Sequence, residues 1–323
     1  MLFLIREGYS FPEDARRCHV PTAIAEGLVA TEIMGDEKRM DIQLHHFLPQ
    51  SYLNAWRGGD SKLTRYVRGF HGKINAKRYA PVSVARVANL YSIPAENLDI
   101  KHNVEKLFMQ RIDSDLIEPL SHLTLGSIPS DPAIRLKWAK FVSSLFFRMP
   151  EVVEGLDEQF KIHWMDAAKH FVAENTGLGL TVEDVVQQYQ TEDPTAPEYW
   201  AKILFVYYVE YSPEIVDILG LQWSVVKLLD AGEPLMSSDC PLMVVRSENF
   251  TIRALALAIS PNMMFIAYRE DADFNGLYGT GVYADDLIER YNGHIVARAR
   301  DIVIAYDDGD KAEVERLMST MRT

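Results

Sequence analysis

The chain has 323 residues, of which 48% are hydrophobic and 24% are charged, the balance of a folded globular protein. Its 33 basic and 46 acidic side chains give a formal net charge of −13, which excludes a protein that holds nucleic acid over its whole surface, because phosphates must be neutralised by basic groups. Two cysteines, Cys18 and Cys240, exclude a disulfide-stapled domain, and no apolar run approaches the roughly 18 residues of a membrane-spanning helix. We therefore expect a cytoplasmic protein that contacts no membrane.

Basic residues are concentrated near the start of the chain. Residues 40–90 carry eight basic and two acidic side chains, whereas residues 91–323 carry 20 basic and 37 acidic ones. A local basic region inside an acidic protein attracts anions over several ångströms. We therefore expect residues 40–90 to attract an anionic substrate. The acidic remainder of the chain gives no indication of which protein, if any, is a partner.

Predicted elements follow the chain from an irregular start. Residues 1–39 show no sustained periodicity and are punctuated by glycine and proline, so we expect a poorly ordered arm, with Met40 as an alternative start of the protein. Alternating residues predict strands at 42–48 and 62–68, with a short helix after Pro49. Helical spacing predicts helices at about 103–118, 131–148, 151–175, 181–190 and 197–219. Further strands are predicted at 222–229, 242–246, 252–259, 263–268 and 302–306, and further helices at 283–299 and 311–321.

This order of strands, helices and strands predicts an α+β fold. We expect the N-terminal and C-terminal strands to join in one mostly antiparallel sheet, packed against the helical region of about 102–220. Because the strands of both ends belong to the same sheet in this interpretation, residues 40–323 are expected to form a single domain.

Three polar residues lie on predicted apolar helix faces. Glu105 shares a face with Phe108, and Arg148 shares one with Trp138, because both pairs are separated by multiples of helical spacing. Asn292 is placed among apolar residues in the same way. Buried polar groups must find partners. Glu105 and Arg148 are therefore candidates either for a structural ion pair or for a shared pocket, and Asn292 either fixes a loop or binds a substrate.

Two short motifs add further candidates. His45 and His46 are adjacent in a predicted strand, so their side chains point to opposite faces, and one imidazole is expected to face inward. Ser238 and Asp239 lie in a Ser-Ser-Asp-Cys-Pro sequence between two strands, which is typical of a turn. Asp239 could alternatively accept a hydrogen bond from a histidine or bind a cation, and Ser238 could contact a substrate.

These motifs resemble those of a known family. An opening motif runs from His45 to Leu53 with the sequence HHFLPQSYL. Later landmarks are Tyr91, Arg148-Met149-Pro150, Trp223, Ser238-Asp239-Cys240-Pro241, Ile259-Ser260-Pro261 and Asn292. In this order they are similar to the landmarks of domain of unknown function 4238, a mainly bacterial family, over residues 42–306. Phe47 and Leu48 replace a tyrosine and a valine of the family pattern. The resemblance implies that the histidine pair, Arg148, Asp239 and Asn292 are family landmarks, and it implies no activity.

Two functions fit these residues. In the first, the protein is a hydrolase for a phosphate-bearing substrate such as nucleic acid, with His45 or His46 as general base or metal ligand and Arg148 stabilising negative charge. Asp239 and Glu105 are then carboxylate partners or ligands of a divalent metal, and Asn292 and Ser238 contact the substrate. In the second, the protein is a non-catalytic binding or regulatory module, such as a component of a defence system, and the same polar residues form a structural network.

Overall fold

The computed structural model describes residues 42–68, 73–94, 101–156, 169, 172–173, 179, 181–184, 187, 196–228, 233–269, 284–309 and 311–319. They belong to two compact units. The described parts of the first unit come from residues 42–45, 87–111 and 146–211, and those of the second from residues 46–86, 112–145 and 212–319. The expected arm of residues 1–39 and most of the predicted helices at 151–175 and 181–190 lie outside the described residues.

The second unit contains two four-stranded antiparallel sheets. The strands of the first sheet are β2 (Leu63–Arg68), β3 (Ile74–Tyr79), β6 (Ser237–Ser238) and β10 (Ile302–Ala305), in the order β3-β2-β10-β6. Strand β10 is antiparallel to both β2 and β6, with Val303 opposite Tyr66 and Ser238. The predicted pairing of N-terminal with C-terminal strands is therefore present.

The second sheet is built from C-terminal strands alone. Its strands are β5 (Gln222–Lys227), β7 (Met243–Arg246), β8 (Ile252–Ser260) and β9 (Met263–Tyr268), in the order β5-β9-β8-β7. Residues 254–259 of β8 are all fully buried, so this central strand is covered on both faces. The expectation of one sheet was wrong in this respect, because the apolar residues of β8 require cover on each side and these strands close into a layer of their own.

Helices cover both sheets of the second unit. They are α1 (Gln50–Leu53), which continues as a 3₁₀ turn, α3 (Ile117–Thr124), α4 (Pro132–Ser144), α6 (Pro213–Leu219), α7 (Ala284–Arg298) and α8 (Lys311–Ser319). Helices α3 and α6 contact β8, and α4 packs on both of them. Val296 of α7 and Val314 of α8 join Tyr66 and Val303 in one buried cluster against the first sheet. This cluster fixes which face of that sheet is the core face.

The first unit combines short strands with helices. Strand β1 (Leu44–His46) and strand β4 (Arg86–Ala88) form a two-stranded sheet near the unit boundary. A π-helix (Val104–Met109) leads into α2 (Gln110–Asp115) and contacts α5 (Ala196–Tyr211). Arg111 and Glu210 form an ion pair between these segments. Stacked rings of Tyr91 and Phe205, with centroids 5.2 Å apart, fix the chain after β4 on α5.

The α+β class is confirmed, and several element boundaries differ from the prediction. The predicted helix at 131–148 ends at Ser144, and the predicted helix at 197–219 is divided. The division occurs because the Ser212 hydroxyl caps a new helix by accepting from the Glu214 N–H, and Pro213 takes its first position. None of the described helices combines the length and apolar character that crossing a bilayer requires.

Candidate functional site

Several buried polar side chains of the second unit make hydrogen bonds to or from residues 234–241. Asn292 on α7 uses both ends of its amide there, since its Oδ1 accepts from the Met236 N–H at 2.8 Å and its Nδ2 donates to the Pro234 carbonyl at 2.9 Å. Asn292 is 4% exposed. Its burial on an apolar helix face is as predicted, and its partners fit the loop-fixing interpretation.

Asp239 accepts hydrogen bonds from backbone N–H groups at the start of β10. Its Oδ1 accepts from the Arg300 N–H at 3.0 Å, and its Oδ2 accepts from the N–H groups of Asp301 and Ile302 at 2.6 and 3.1 Å. Burial raises the pKa of Asp239, and the three backbone donors partly oppose this effect. Ser238 Oγ accepts from the Cys240 N–H at 3.1 Å, the turn geometry expected of this motif.

Aromatic side chains complete the anchoring of the same segment. The Tyr52 hydroxyl lies 2.9 Å from Ser237 Oγ and donates to the Ala258 carbonyl at 2.9 Å. Trp56 Nε1 donates to the Leu235 carbonyl at 2.9 Å. Burial raises the pKa of Tyr52 well above its ordinary value. Because these partners are mostly backbone groups, side-chain hydrogen bonds hold the backbone of this segment at several points.

The two adjacent histidines have different surroundings. His46 is half-buried, and its Nε2 lies 3.1 Å from the Val82 carbonyl in the second unit. His45 is 1% exposed in the first unit, so it is the inward imidazole of the pair. Its Nδ1 accepts from the Tyr91 N–H at 2.9 Å. An Nδ1 that accepts carries no proton, so His45 is a neutral imidazole with its proton on Nε2.

A second buried imidazole lies beside His45. His102 is fully buried, and its ring meets that of His45 edge to face, with centroids 5.5 Å apart. On its other side, His45 stacks on Tyr91 with an interplanar angle of 4°. His102 Nδ1 lies 3.2 Å from Ser92 Oγ, and the Ser92 hydroxyl is also 3.5 Å from Asn89 Oδ1. The shorter contact favours a hydroxyl that donates to His102.

Ser92 lies in the wall of a cavity within the first unit. The cavity has a volume of about 330 Å³. Its polar lining includes Asn89, Ser92, Lys101, Glu154, Glu198 and Lys202. Lys202 is 6% exposed and Lys101 is half-buried, so two cations border the same space as the carboxylates of Glu154 and Glu198. The volume is that of a site for a small molecule.

Backbone strain marks the rim of this cavity. Asn89 has a φ of 54°, in the left-handed region where asparagine is among the few tolerated residues. Its N–H donates to the Gln43 carbonyl at 2.8 Å, and its Oδ1 accepts from the Gln43 N–H at 3.2 Å. This paired contact holds Asn89 in its conformation and so fixes the turn that carries Ser92.

Glu105 and Arg148 also belong to the first unit. Glu105 is half-buried in the π-helix, a rare element that often occurs at functional sites. Arg148 is 1% exposed. It lies beyond the end of α4 rather than within the predicted helix. Their roles in acid–base chemistry and charge stabilisation remain predictions.

The predicted site residues are therefore divided between the units. His45, Glu105 and Arg148 belong to the first, and His46, Asp239, Ser238 and Asn292 belong to the second. Within the described residues, no three histidine, cysteine, aspartate or glutamate side chains are grouped as a metal site would require.

Sequence reasoning missed His102 and Ser92. His102 precedes Glu105 by three positions, so the helical spacing that singled out Glu105 would also have selected it. Ser92 directly follows Tyr91, a landmark of the resemblance, but nothing in its local sequence indicates a histidine partner ten residues later. That contact depends on the Ile93 N–H donating to the Lys101 carbonyl at 2.9 Å, which brings the two segments together.

Comparison with known proteins identifies the family. The model of a protein family of unknown function, DUF4238, matches residues 44–309. The chain belongs to DUF4238. This match confirms the resemblance given by the histidine pair and the later landmarks. No curated protein and no solved structure matches the chain.

Proposed function

We propose that this DUF4238 protein is a hydrolase for a small phosphate-bearing molecule that binds in the cavity of the first unit. The observation that carries the proposal is the contact between Ser92 Oγ and His102 Nδ1 at the cavity wall, 3.2 Å long. A hydroxyl within hydrogen-bond reach of an imidazole, with the imidazole oriented by a third group, is the arrangement of an activated nucleophile. Here the His45 ring packs against His102 as that third group.

The chemistry follows from these groups. Ser92 Oγ attacks phosphorus, its proton passes to His102 Nδ1, and His102 then protonates the departing alcohol oxygen. Water then attacks the phosphorus of the resulting phosphoserine while His102 takes a proton from it, the P–Oγ bond breaks, His102 returns the proton to Ser92 Oγ, and inorganic phosphate leaves. Lys101 and Lys202 stabilise the negative charge of the phosphate, since a fixed cation beside the reacting group stabilises the charge that develops there. His45, neutral and fixed by the Tyr91 N–H, is a positioning residue in this scheme.

The size of the cavity favours a small substrate over a polymer. A volume of about 330 Å³ matches a sugar phosphate or a similar molecule. For Asp239, Ser238 and Asn292 we propose the structural role, because their hydrogen bonds to backbone groups would have to break before any of them could contact a substrate.

A hydrolysis assay tests the proposal. The wild type, Ser92→Ala and His102→Gln are compared on p-nitrophenyl phosphate and a panel of small phosphate monoesters. We expect both variants to lose at least about 100-fold in rate. Ser127→Ala is the matched control, because the Ser127 hydroxyl donates to a backbone carbonyl in the second unit. Equal rates in the wild type and Ser92→Ala would refute the nucleophile.

Substrate binding is measured separately. Titration calorimetry with inorganic phosphate is expected to give about 5- to 10-fold weaker binding to Lys101→Gln, because a charge-assisted contact is lost. Ser92→Ala keeps both lysines and is expected to bind phosphate as the wild type does. Unchanged phosphate binding by Lys101→Gln would contradict the placement of the anion.

A further inference from the structure

Strands β2 and β3 carry basic groups on the face opposite to their core face. Their register places Arg65 opposite Lys77 and Leu63 opposite Tyr79. Residues directly opposite in an antiparallel pair project to the same side of the sheet. Tyr66 projects to the other side, where it joins the buried cluster with α7 and α8. Arg65, Lys77 and Tyr79 therefore form one patch on the outer face, and we call them the β2–β3 basic patch.

Both cations of this patch approach one aromatic ring. Arg65 Cζ lies 4.2 Å from the centroid of Tyr79, and Lys77 Nζ lies 5.4 Å from it. Lys77 is exposed, whereas Arg65 and Tyr79 are half-buried. The guanidinium thus lies over the tyrosine ring, and the ammonium lies near the same ring.

The patch has an electrostatic conflict. Like charges directly opposite each other in a sheet destabilise it. Among the residues that the structure describes, neither Arg65 nor Lys77 forms an ion pair. The neighbouring Arg78, by contrast, is paired with Asp60, and this carboxylate raises the pKa of Arg78. A bound anion between Arg65 and Lys77 would remove the repulsion that the fold itself leaves in place.

We propose that the β2–β3 basic patch binds single-stranded nucleic acid, with a backbone phosphate between Arg65 and Lys77. Both the guanidinium of Arg65 and the ring of Tyr79 are flat groups on which an unpaired base can stack. Asn75, exposed on the same face, adds donors and an acceptor for a base edge. The net charge of −13 repels a polyanion elsewhere and so confines it to this region.

This site goes beyond the proposed hydrolase, since it lies in the second unit and uses none of the cavity residues. The two proposals can therefore fail independently. Ser92→Ala is expected to bind an oligonucleotide with wild-type affinity. Conversely, loss of the basic patch is expected to leave hydrolysis of a small phosphate monoester unchanged.

Fluorescence anisotropy with a fluorescein-labelled 20-nucleotide oligothymidylate tests the site. The decisive variant is Lys77→Glu, which replaces a like-charge pair by an opposite-charge pair across the two strands. It is expected to raise Kd at least about 10-fold, with a melting temperature equal to or above that of the wild type. Arg65→Met, which keeps the apolar stem, is expected to raise Kd about 5-fold or more.

The matched control is Lys311→Glu, which makes the same change in net charge on α8, where Lys311 lies 3.8 Å from Glu315. Lys311→Glu is expected to bind within about twofold of the wild type. In the variants of the β2–β3 basic patch, the slope of log K against log salt is expected to become shallower by about 0.7 for each phosphate contact that is lost. Three results would overturn the proposal: no saturable binding by the wild type at 50 mM salt, equal binding by Lys77→Glu and Lys311→Glu, or equally effective competition by polyglutamate.

Discussion

Replacing Asn292 by alanine tests whether this side chain holds a loop or serves a substrate. The variant removes the acceptor of the buried Met236 N–H and the donor to the half-buried Pro234 carbonyl. An unsatisfied buried N–H costs about 1–3 kcal/mol, and a carbonyl with partial access to water costs less, so the free energy of unfolding should fall by about 2–4 kcal/mol. For a protein of this size, that corresponds to a melting temperature lower by about 3–6 °C.

Urea denaturation followed by tryptophan fluorescence measures the effect. Trp56 donates to the Leu235 carbonyl, so its emission reports on the anchored segment itself. Glu289→Ala is the control, because Glu289 is exposed one turn earlier on α7, and its removal should change stability by less than about 0.5 kcal/mol. An Asn292→Ala protein as stable as the wild type, with an unchanged denaturant slope, would refute the loop-fixing role.

Three further changes probe buried polar groups. Burial raises the pKa of Asp239, so this carboxyl group binds a proton more readily in the folded state than in the unfolded state. The stability of the wild type relative to Asp239→Asn should therefore increase as pH falls from 7 to about 4. A stability difference that stays constant in urea denaturation at several pH values would contradict this. Burial and Arg298 lower the pKa of His294, so stability is lost as pH falls below about 6.5, and His294→Gln should lose less between pH 7.5 and 5 in thermal melts. Tyr52→Phe removes the hydroxyl that donates to the Ala258 carbonyl and should lower the free energy of unfolding by about 1–3 kcal/mol. An unchanged urea midpoint would contradict a stabilising role for this hydrogen bond.

Local patterning predicted the regular elements well where one period dominates. The bounds predicted for β9 are those observed, Met263–Tyr268, and α7 differs from its predicted range by one residue at each end. The apolar residues of each element fit only one type of secondary structure, a strand for β9 and a helix for α7, and turn formers lie on either side. The joining of N-terminal and C-terminal strands was also predictable, since short strands at both ends of the chain require partners.

The predicted helix at 103–118 shows where periodicity fails. It assumed 3.6 residues per turn, which placed Leu107 and Ile117 on the buried face. Both are exposed, by 47% and 60%, whereas Met109 is fully buried. The π-helix of Val104–Met109 changes the angle between successive side chains where Leu107 and Met109 lie, and Ile117 begins a separate helix, whereas Ile112 and Leu116 are buried as the spacing predicts. No residue preference in this stretch indicates a π-helix, so the sequence could not predict the exposure of Leu107.

The candidate site depended on contacts that local sequence does not encode. Apolar surroundings correctly predicted that Arg148 and Asn292 are buried, whereas for the histidine pair the sequence predicted only that one imidazole faces inward. The same surroundings do not indicate the hydrogen-bond partners of these side chains, because the partners lie far away in the chain. His45 Nδ1 accepts from an N–H 46 residues later, and the Asn292 amide bonds to groups more than 50 residues earlier.

The choice of partner separates structural from chemical roles among these buried polar groups. A carboxylate such as that of Asp239 already accepts hydrogen bonds from three backbone N–H groups, and moving it would leave those donors unsatisfied. Ser92 and His102 instead meet side chain to side chain, so a proton can pass between them without breaking a backbone hydrogen bond. Because Ser92 also lines a cavity with two lysines, its hydroxyl can meet a ligand where it stands. For this reason the chemistry of the chain is better sought at Ser92 and His102 than at Asp239, although the sequence motif around Asp239 is the more conspicuous of the two.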